Sequence, residues 1–231
     1  MTAFTEYQRT SFFGRPFEEL LRCFGFDAKA LQGRRMLDCP SGPSSFVAEA
    51  NELGIDAVGV DPMYYRGPDA LERLARSDFR DMYGRMRAKP EFLVSKTYPS
   101  IDASEIARRE GLELFLKDYR ERYPSGPYVS ASLPELPFED DSFDIAICGH
   151  LLFLYADQFD YAFFRAAIRE LLRVARQEVR IHPIVNSSGQ TYERLDELRG
   201  DLADEGHISK IIEVDHEFFR GTNRTLVVDV G

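Results

Sequence analysis

The stretch MLDCPSGPSSFVAEANELGIDAVGVDP, residues 36–62, reads as a strand, a turn of small residues, a helix and a second strand. The apolar start at Met36 is typical of a buried parallel strand. Small side chains at 38–45 let a ligand approach the backbone closely, and the apolar residues of 46–53 recur at helical spacing. Asp61 follows the second strand, where a carboxylate can accept both hydroxyls of a ribose. The stretch therefore predicts a site for a nucleoside cofactor.

The turn differs from the turns that bind dinucleotides. A dinucleotide site uses G-x-G-x-x-G, with the pyrophosphate at a helix N-terminus, whereas this turn has one glycine followed by a proline that lacks an N–H donor. Residues 37–44 resemble instead the cofactor turn of class I S-adenosylmethionine-dependent methyltransferases, hydrophobic-Asp-x-Gly-x-Gly-x-Gly. Pro40, Gly42 and Ser44 stand at the three glycine positions, so this chain keeps only the middle glycine.

A second motif, ELPFEDDSFDIAIC at residues 135–148, resembles the segment that leads into the fourth strand of the same family, LPF-x-D-x-SFD. Its last four residues form an apolar run, as a central parallel strand requires. When the two are aligned on LPF, the family's adenine-contacting positions fall on Ser132 and Leu133. Two motifs in the family's order strengthen the resemblance, which covers about residues 33–62 and 126–231.

The C-terminal part predicts the remaining strands. Residues 178–185 read as strand five, and residues 210–219 and 225–230 as a terminal hairpin around a turn rich in Gly and Asn. Such a hairpin distinguishes the methyltransferase sheet from the dinucleotide-binding one. The expected fold class is α/β, a doubly wound, seven-stranded, mostly parallel sheet with a C-terminal antiparallel hairpin and a helical lid inserted after strand two.

The connection after strand two is long. A compact doubly wound fold uses one helix and short loops there, but this chain has predicted helices at 69–80 and 104–123, with Ser104 as an N-cap. Because the connection leaves the sheet beside the ribose site, it can fold over the carboxyl edge as a lid. Tyr64 and Tyr65 are expected to face a ligand there. The predicted organisation is one methyltransferase domain over 1–231, with an N-terminal helical segment 1–32 and a helical lid insertion 63–126.

The resemblance implies S-adenosyl-L-methionine as the cofactor. Asp61 would hold its ribose, and Met63 and Leu133 its adenine. The turn would hold the methionine portion, whose carboxylate Arg15 can bind with its forked guanidinium. The predicted cofactor-binding residues are Arg15, Asp38, Cys39, Pro40, Ser41, Gly42, Ser44, Asp61, Pro62, Met63, Ser132, Leu133, Gly149 and His150.

The residues after the fourth strand border the transferable methyl group in the resembled fold. His150 and Tyr155 are therefore the predicted catalytic residues, since an imidazole accepts a proton near neutral pH. The alternative, a histidine satisfied by a backbone carbonyl, stays open. No metal site is predicted, because the three cysteines, Cys23, Cys39 and Cys148, have neither pairing nor metal-ligand spacing.

Composition bears on partners and location. The net charge of −10 argues against nucleic acid, which is bound by clustered Lys and Arg. The chain has no apolar run long enough for a membrane span and no signal-peptide pattern at its start, and the cysteines suit a reducing compartment. We expect a cytoplasmic enzyme, monomer or homodimer, that methylates a small molecule, aromatic or anionic in character.

Two other functions stay open at this point. A nicotinamide-dependent oxidoreductase would use a similar sheet, but the single-glycine turn and the terminal hairpin disfavour it. A non-catalytic cofactor-binding or interaction module on the same fold is compatible with Pro40 and Ser44 in place of glycines.

Overall fold

The computed structural model of the chain describes residues 10–94 and 96–231, so the first nine residues of the predicted N-terminal segment lie outside the described residues. The strands are β1 (Arg35–Asp38), β2 (Asp56–Val60), β3 (Tyr128–Val129), β4 (Phe143–Gly149), β5 (Ala175–His182), β6 (Ile208–Glu213) and β7 (Arg224–Asp229). The α-helices are α1 (Phe17–Phe24), α2 (Ala28–Leu31), α3 (Phe46–Glu52), α4 (Pro68–Ala88), α5 (Ile101–Arg122), α6 (Tyr161–Val174) and α7 (Leu195–Asp204).

The described strands form one seven-stranded sheet in the order β3-β2-β1-β4-β5-β7-β6. β1 pairs parallel with β2 and β4, β2 with β3, and β4 with β5. β7 pairs antiparallel with both β5 and β6. The predicted fold class is confirmed: a mostly parallel sheet that ends in an antiparallel hairpin.

Alternate residues of the central strands face two helical layers. Leu37 and Ala146 belong to the core that packs against α6 and α7, whereas Met36 and Ile147 belong to the core that packs against α1 and α3. The alternation follows from the pleat of a strand, which points successive side chains to opposite faces. Helices therefore cover both faces of the sheet.

The insertion (residues 63–126) contains longer helices than the sequence pattern predicted. α5 begins before residue 104 because Ser100, not Ser104, caps it: the Ser100 hydroxyl accepts a hydrogen bond from Ala103 N at 3.1 Å. Ser104 lies inside the helix, where its hydroxyl is 3.2 Å from that of Tyr83. An aromatic cluster packs the insertion against β3 and the N-terminal segment, and includes Phe12, Tyr64, Phe79, Tyr83, Phe115, Tyr119, Tyr128 and Phe218.

The C-terminal strands end earlier than predicted. β5 ends at His182, because the proline that follows has no N–H to continue the ladder. β6 ends at Glu213, and the hairpin loop (residues 214–223) leaves the sheet and turns toward the insertion. There Phe219 forms an antiparallel bridge with Leu93, and Val94 N donates to Phe218 O at 2.9 Å. The prediction of a strand up to residue 219 is therefore wrong in its second half.

The chain begins, within the described residues, with a segment that crosses the carboxyl edge of the sheet and enters α1. Gly25 ends α1 in the left-handed region, at φ +67°, a conformation that glycine commonly adopts after the last residue of a helix. None of the described helices has both the length and the apolar character needed to cross a membrane.

Candidate active site

A cavity of about 520 Å³ opens at the carboxyl edge of the sheet. Because β1, β2 and β4 run parallel, their last residues meet at this edge. Every residue predicted for cofactor binding or catalysis lines the cavity, namely Arg15, Asp38, Cys39, Pro40, Ser41, Gly42, Ser44, Asp61, Pro62, Met63, Ser132, Leu133, Gly149, His150 and Tyr155. The fold thus brings two motifs that are distant in the chain to one place.

The turn after β1 is held from two sides. Gly42 adopts φ +56°, which favours glycine. Its N–H donates to Asp61 Oδ2 at 3.1 Å, and its carbonyl accepts a hydrogen bond from the Tyr64 hydroxyl at 2.6 Å. Asp61 Oδ1 accepts from Met63 N at 2.8 Å. Neither Tyr64, which is buried, nor Tyr65, which is 60% exposed, lines the cavity formed by the described residues, contrary to expectation.

Two buried carboxyl groups, those of Asp38 and Asp61, line the cavity near the turn. Desolvation raises the pKa of Asp38 to about 7 and that of Asp61 to about 6. The backbone N–H groups that bind Asp61 oppose the rise. Asp38 Oδ2 has no hydrogen-bond partner in residues 10–94 and 96–231. A buried oxygen of this kind is suited to a ligand that carries donors or positive charge.

The N-terminal strap (residues 10–16) lies directly on the turn. The Ser44 hydroxyl donates to Arg15 O at 2.8 Å, and Phe17 N donates to the Ser45 hydroxyl at 3.0 Å. At Gly14 the backbones are so close that a Cβ atom would lie 2.0 Å from Pro43 O. Only glycine fits at this contact, so the strap forms one wall of the cavity.

Arg15 connects the cavity wall to a buried ionic centre. Its Nε is 3.5 Å from Glu19 Oε1, and desolvation together with the Arg108 guanidinium lowers its pKa. Arg108 donates to both Glu19 oxygens, at 2.8 and 2.7 Å. Burial would raise the pKa of Glu19, but the Arg108 guanidinium outweighs it and holds that pKa at about 2. The guanidinium of Arg15 therefore faces Glu19 as well as the cavity.

The predicted catalytic residues are anchored near the end of β4. His150 adopts φ +56°, and its N–H donates to His182 O at 2.6 Å. Its ring lies 5.2 Å from the His182 ring, and desolvation followed by Arg15 lowers its pKa well below the ordinary value. His150 is therefore a neutral imidazole near pH 7. The Tyr155 hydroxyl accepts a hydrogen bond from Ser11 N at 3.3 Å, which ties it to the strap.

The predicted adenine positions lie between β3 and β4. Leu133 is buried, and Ser132 is more exposed. Glu135 N donates to Ser132 O at 3.1 Å, and the two residues form a bridge that closes the turn around Leu133. The local turn explains why two adjacent residues both reach the cavity.

Sequence reasoning missed the other side of the cavity. Side chains from the strap, α4, α6, the β5–α7 connection and the hairpin loop line it, among them Ser11, Leu74, Met82, Met86, Phe92, Phe163, Ser187, Phe219 and Arg220. The pair Met82 and Met86, one helical turn apart, and the small polar residues 186–189 after β5 were the available signals.

Comparisons with known proteins bear on this arrangement. A family profile described as "Methyltransferase domain" matches residues 100–181. "Uncharacterized protein MJ0045" of Methanocaldococcus jannaschii is 31% identical over 221 residues, which cover 95% of this chain and 96% of that protein. The chain belongs to the class I S-adenosylmethionine-dependent methyltransferases. The similarity to that protein extends over nearly the whole length of both chains.

Two solved methyltransferase structures are similar to the chain. Magnesium protoporphyrin IX methyltransferase (ChlM) from Synechocystis PCC 6803, with bound S-adenosylmethionine, is 14% identical with a TM-score of 0.48, and the match covers 87% of this chain and 72% of that one. A TehB-like S-adenosylmethionine-dependent methyltransferase from Corynebacterium glutamicum is 12% identical with a TM-score of 0.47, and the match covers 91% of each chain. The cofactor of the class I family is S-adenosyl-L-methionine.

The residues of this methyltransferase fit that cofactor. S-adenosylmethionine carries a sulfonium and an ammonium group, and the unpartnered Asp38 Oδ2 lies in the turn that the family uses for the methionine portion. Asp61 is held by two backbone N–H groups, so its carboxylate keeps one orientation and retains lone pairs for hydroxyl donors.

Proposed function

We propose that the protein transfers a methyl group from S-adenosylmethionine to a small-molecule acceptor held beneath the insertion. The observation that carries the proposal is the convergence of both cofactor motifs on one cavity, whose opposite wall is formed by α4 and the hairpin loop. In this proposal the domain spans 1–231, the segment 1–32 closes over the cofactor, and the insertion 63–126 acts as a lid. The free, buried cysteines support a cytoplasmic location.

The cofactor would be held by groups already fixed in place. Asp61 would accept the ribose hydroxyls, Met63 and Leu133 would enclose the adenine, and the turn at 38–44 would receive the methionine portion. Arg15 would bind the methionine carboxylate from the strap. When bound, S-adenosylmethionine supplies an electrophilic methyl group on a sulfonium sulfur.

The acceptor would be small and largely apolar with one polar end. The cavity volume of about 520 Å³ is within the range of small-molecule sites and must also accommodate the cofactor. Met82, Met86 and Phe163 supply apolar surface, which suits an aromatic ring. Arg220 and the buried Ser187 hydroxyl, which has no hydrogen-bond partner within the described part of the chain, suit an anionic group.

The protein's contribution to the reaction would be mainly positioning. Orientation of two reacting groups in one site accounts for a large part of enzymatic rate enhancement. The neutral imidazole of His150 can accept a proton from the acceptor, and the Tyr155 hydroxyl, fixed by Ser11 N, can orient it. The strap and the insertion would exclude water.

Calorimetric titration with S-adenosylmethionine and S-adenosylhomocysteine tests the cofactor site. Asp61→Ala should weaken both by roughly ten- to hundredfold, because hydrogen bonds to a charged group contribute about 1.5–3 kcal/mol. Asp56→Ala, at the exposed start of β2, is the matched control and should leave affinity unchanged. Asp61→Asn keeps one side-chain oxygen, so its cofactor affinity should lie between those of Asp61→Ala and Asp56→Ala.

Turnover is measured as S-adenosylhomocysteine release with a panel of aromatic and anionic acceptors. Tyr155→Phe should lower kcat while leaving cofactor affinity nearly unchanged, and His150→Asn should lower kcat by a larger factor than it weakens cofactor binding. Binding without turnover would favour the non-catalytic module, and NADH binding in place of S-adenosylmethionine would favour the oxidoreductase. If folded protein freed of copurified cofactor neither binds S-adenosylmethionine nor shows turnover, the proposal is refuted.

A further inference from the structure

A second cluster of reactive side chains lies behind His150, outside the cavity. Cys23 of α1, His182 at the end of β5 and His216 of the hairpin loop are all buried. One ligand atom from each residue, a sulfur or a ring nitrogen, lies within 4.8 Å of the other two. The sequence predicted no metal site, because these three residues come from three distant parts of the chain.

Hydrogen bonds fix the tautomer of His182. The Thr225 hydroxyl donates its single proton to Cys23 O at 2.6 Å, so at 2.9 Å it must accept from His182 Nδ1. The proton of the neutral ring is therefore on Nδ1, and Nε2 carries a lone pair. Nε2 is buried and has no hydrogen-bond partner among residues 10–94 and 96–231. A buried acceptor without a partner costs free energy unless a ligand binds it.

His216 is oriented in a similar way. Its Nδ1 is 3.2 Å from the Thr97 hydroxyl, which also accepts from Glu217 N at 2.8 Å. Its other ring nitrogen, Nε2, lies 3.9 Å from Glu19 Oε1. Histidines that ligate metals typically have their second nitrogen held by such a partner. The His182 ring thus has the support that a ligating histidine needs, and the Thr97 hydroxyl holds Nδ1 of His216.

We propose that Cys23, His182 and His216 bind a zinc ion, with Glu19 beside them as the neighbouring carboxylate. Zinc prefers sulfur and imidazole ligands in a tetrahedral arrangement. The bonds formed are one from Sγ and one from Nε2 of each histidine, and the thiol proton of Cys23 is released to solvent. Ligand atoms up to 4.8 Å apart must approach one another for each to lie about 2.0–2.3 Å from a shared ion.

The surrounding charges set the expected strength of binding. Arg15 and Arg108 oppose a dication, whereas the Glu19 carboxylate and the Cys23 thiolate favour it. We therefore expect weaker binding than at a site of four cysteines. The ion would join α1, β5 and the hairpin loop, and so fix both the strap and the loop that border the cavity. This role does not depend on methyl transfer.

Cobalt substitution tests the site. The full chain, purified without a histidine tag and stripped with a chelator, is titrated with Co²⁺. One equivalent should give the visible absorption of tetrahedral cobalt and a near-ultraviolet thiolate-to-cobalt band, and Zn²⁺ should displace both. Cys23→Ala should remove the thiolate band, whereas Cys148→Ala, a buried thiol outside the cluster, should keep it.

His182→Asn and His216→Asn should each weaken Co²⁺ binding at least tenfold. In a separate thermal unfolding experiment, Zn²⁺ should raise the Tm of the wild type but not that of Cys23→Ala. If a variant fails to fold, the wild-type spectrum and Tm shift still decide. Absence of a thiolate-to-cobalt band in the wild type, or its persistence in folded Cys23→Ala, would overturn the proposal. Equal Tm with and without Zn²⁺ would also overturn it.

Discussion

Two buried carboxylates, Asp38 at the end of β1 and Glu19 beneath the strap, have opposite surroundings. Glu19 accepts two hydrogen bonds from Arg108 and lies close to Arg15, and its pKa is held at about 2. Asp38 has one oxygen without a partner among the described residues, and desolvation raises its pKa to about 7. Residues of one chemical class thus have pKa values on opposite sides of their ordinary range.

The difference separates a carboxylate that joins chain segments from one that is suited to a ligand. Glu19 links α1 to α5 through Arg108, and the Tyr98 hydroxyl donates to it at 2.8 Å. Removing one partner of a buried ion pair strongly destabilises the folded protein, because the other charge stays buried without compensation. A buried carboxylate with a raised pKa in a cavity is instead a candidate for binding or catalysis. Substitutions at Glu19, Gly14, Asp38 and Arg76 test this contrast.

Glu19→Ala should have the largest effect on stability. It leaves the Arg108 and Arg15 guanidinium groups buried without their carboxylate, so the free energy of unfolding should fall by about 3–5 kcal/mol. Urea unfolding measures it, with Glu18→Ala, the exposed neighbour on α1, as the control.

Replacement of both partners, Glu19→Leu with Arg108→Met, should cost less than Glu19→Ala, because it leaves no unpaired charge from that pair. A loss below about 1 kcal/mol for Glu19→Ala would mean that the ion pair does not join the two helices.

Gly14→Ala should disrupt the place where the two regions meet. A Cβ atom would lie 2.0 Å from Pro43 O, so the strap must move away from the turn. We expect a loss of about 1–3 kcal/mol in unfolding free energy, as for overpacking elsewhere, and weaker S-adenosylmethionine binding by calorimetry. Gly84→Ala, where nothing lies within 4 Å, should instead stabilise α4 by roughly 0.5–1 kcal/mol. Equal effects at both glycines would contradict the close contact.

Asp38 should give the ligand-free protein a pH dependence of the opposite sign to that of a paired acid. The ordinary pKa of this carboxyl group is 3.8, and its pKa in the folded state is about 7. At pH values between the two, the folded state binds the proton that the unfolded state releases. The free energy of unfolding should therefore fall as pH rises through this window, by up to about 1.4 kcal/mol per pH unit for this group. Asp38→Asn should flatten the slope, and Asp56→Asn should not. An unchanged slope in Asp38→Asn would show that the carboxyl group is not desolvated.

Arg76→Ala should have the smallest effect. Arg76 pairs with Glu72 on α4 and Glu113 on α5, at 2.8 and 2.6 Å, but Glu113 is exposed and the other two side chains are only half-buried. Exposed pairs contribute about 0.2–1 kcal/mol and weaken in salt. Urea unfolding at low and high salt measures this, and a loss as large as that of Glu19→Ala would remove the contrast between buried and exposed pairs.

Much of the fold, and of the cavity lining at the strand ends, was predictable from local patterns. The turn with Gly42, the acid at Asp61 and the segment around Leu133 each occupy a short stretch whose residue types predicted their place at the cavity. The boundaries were less predictable: Ser100 replaced Ser104 as a cap, and Pro183 ended β5, because competing capping and strand-ending residues lie within a few positions.

The α/β class, the methyltransferase resemblance and the residues that line the cavity at the strand ends could all be inferred from the sequence, since parallel strands place their carboxyl ends together whatever the connections are. The other half of the cavity, the pairing of Glu19 with Arg108, and the meeting of Cys23 with His182 and His216 arise only in the folded chain. Each of those residues is uninformative in its own stretch. Their chemistry arises from burial and from contacts between distant segments, which no local pattern encodes.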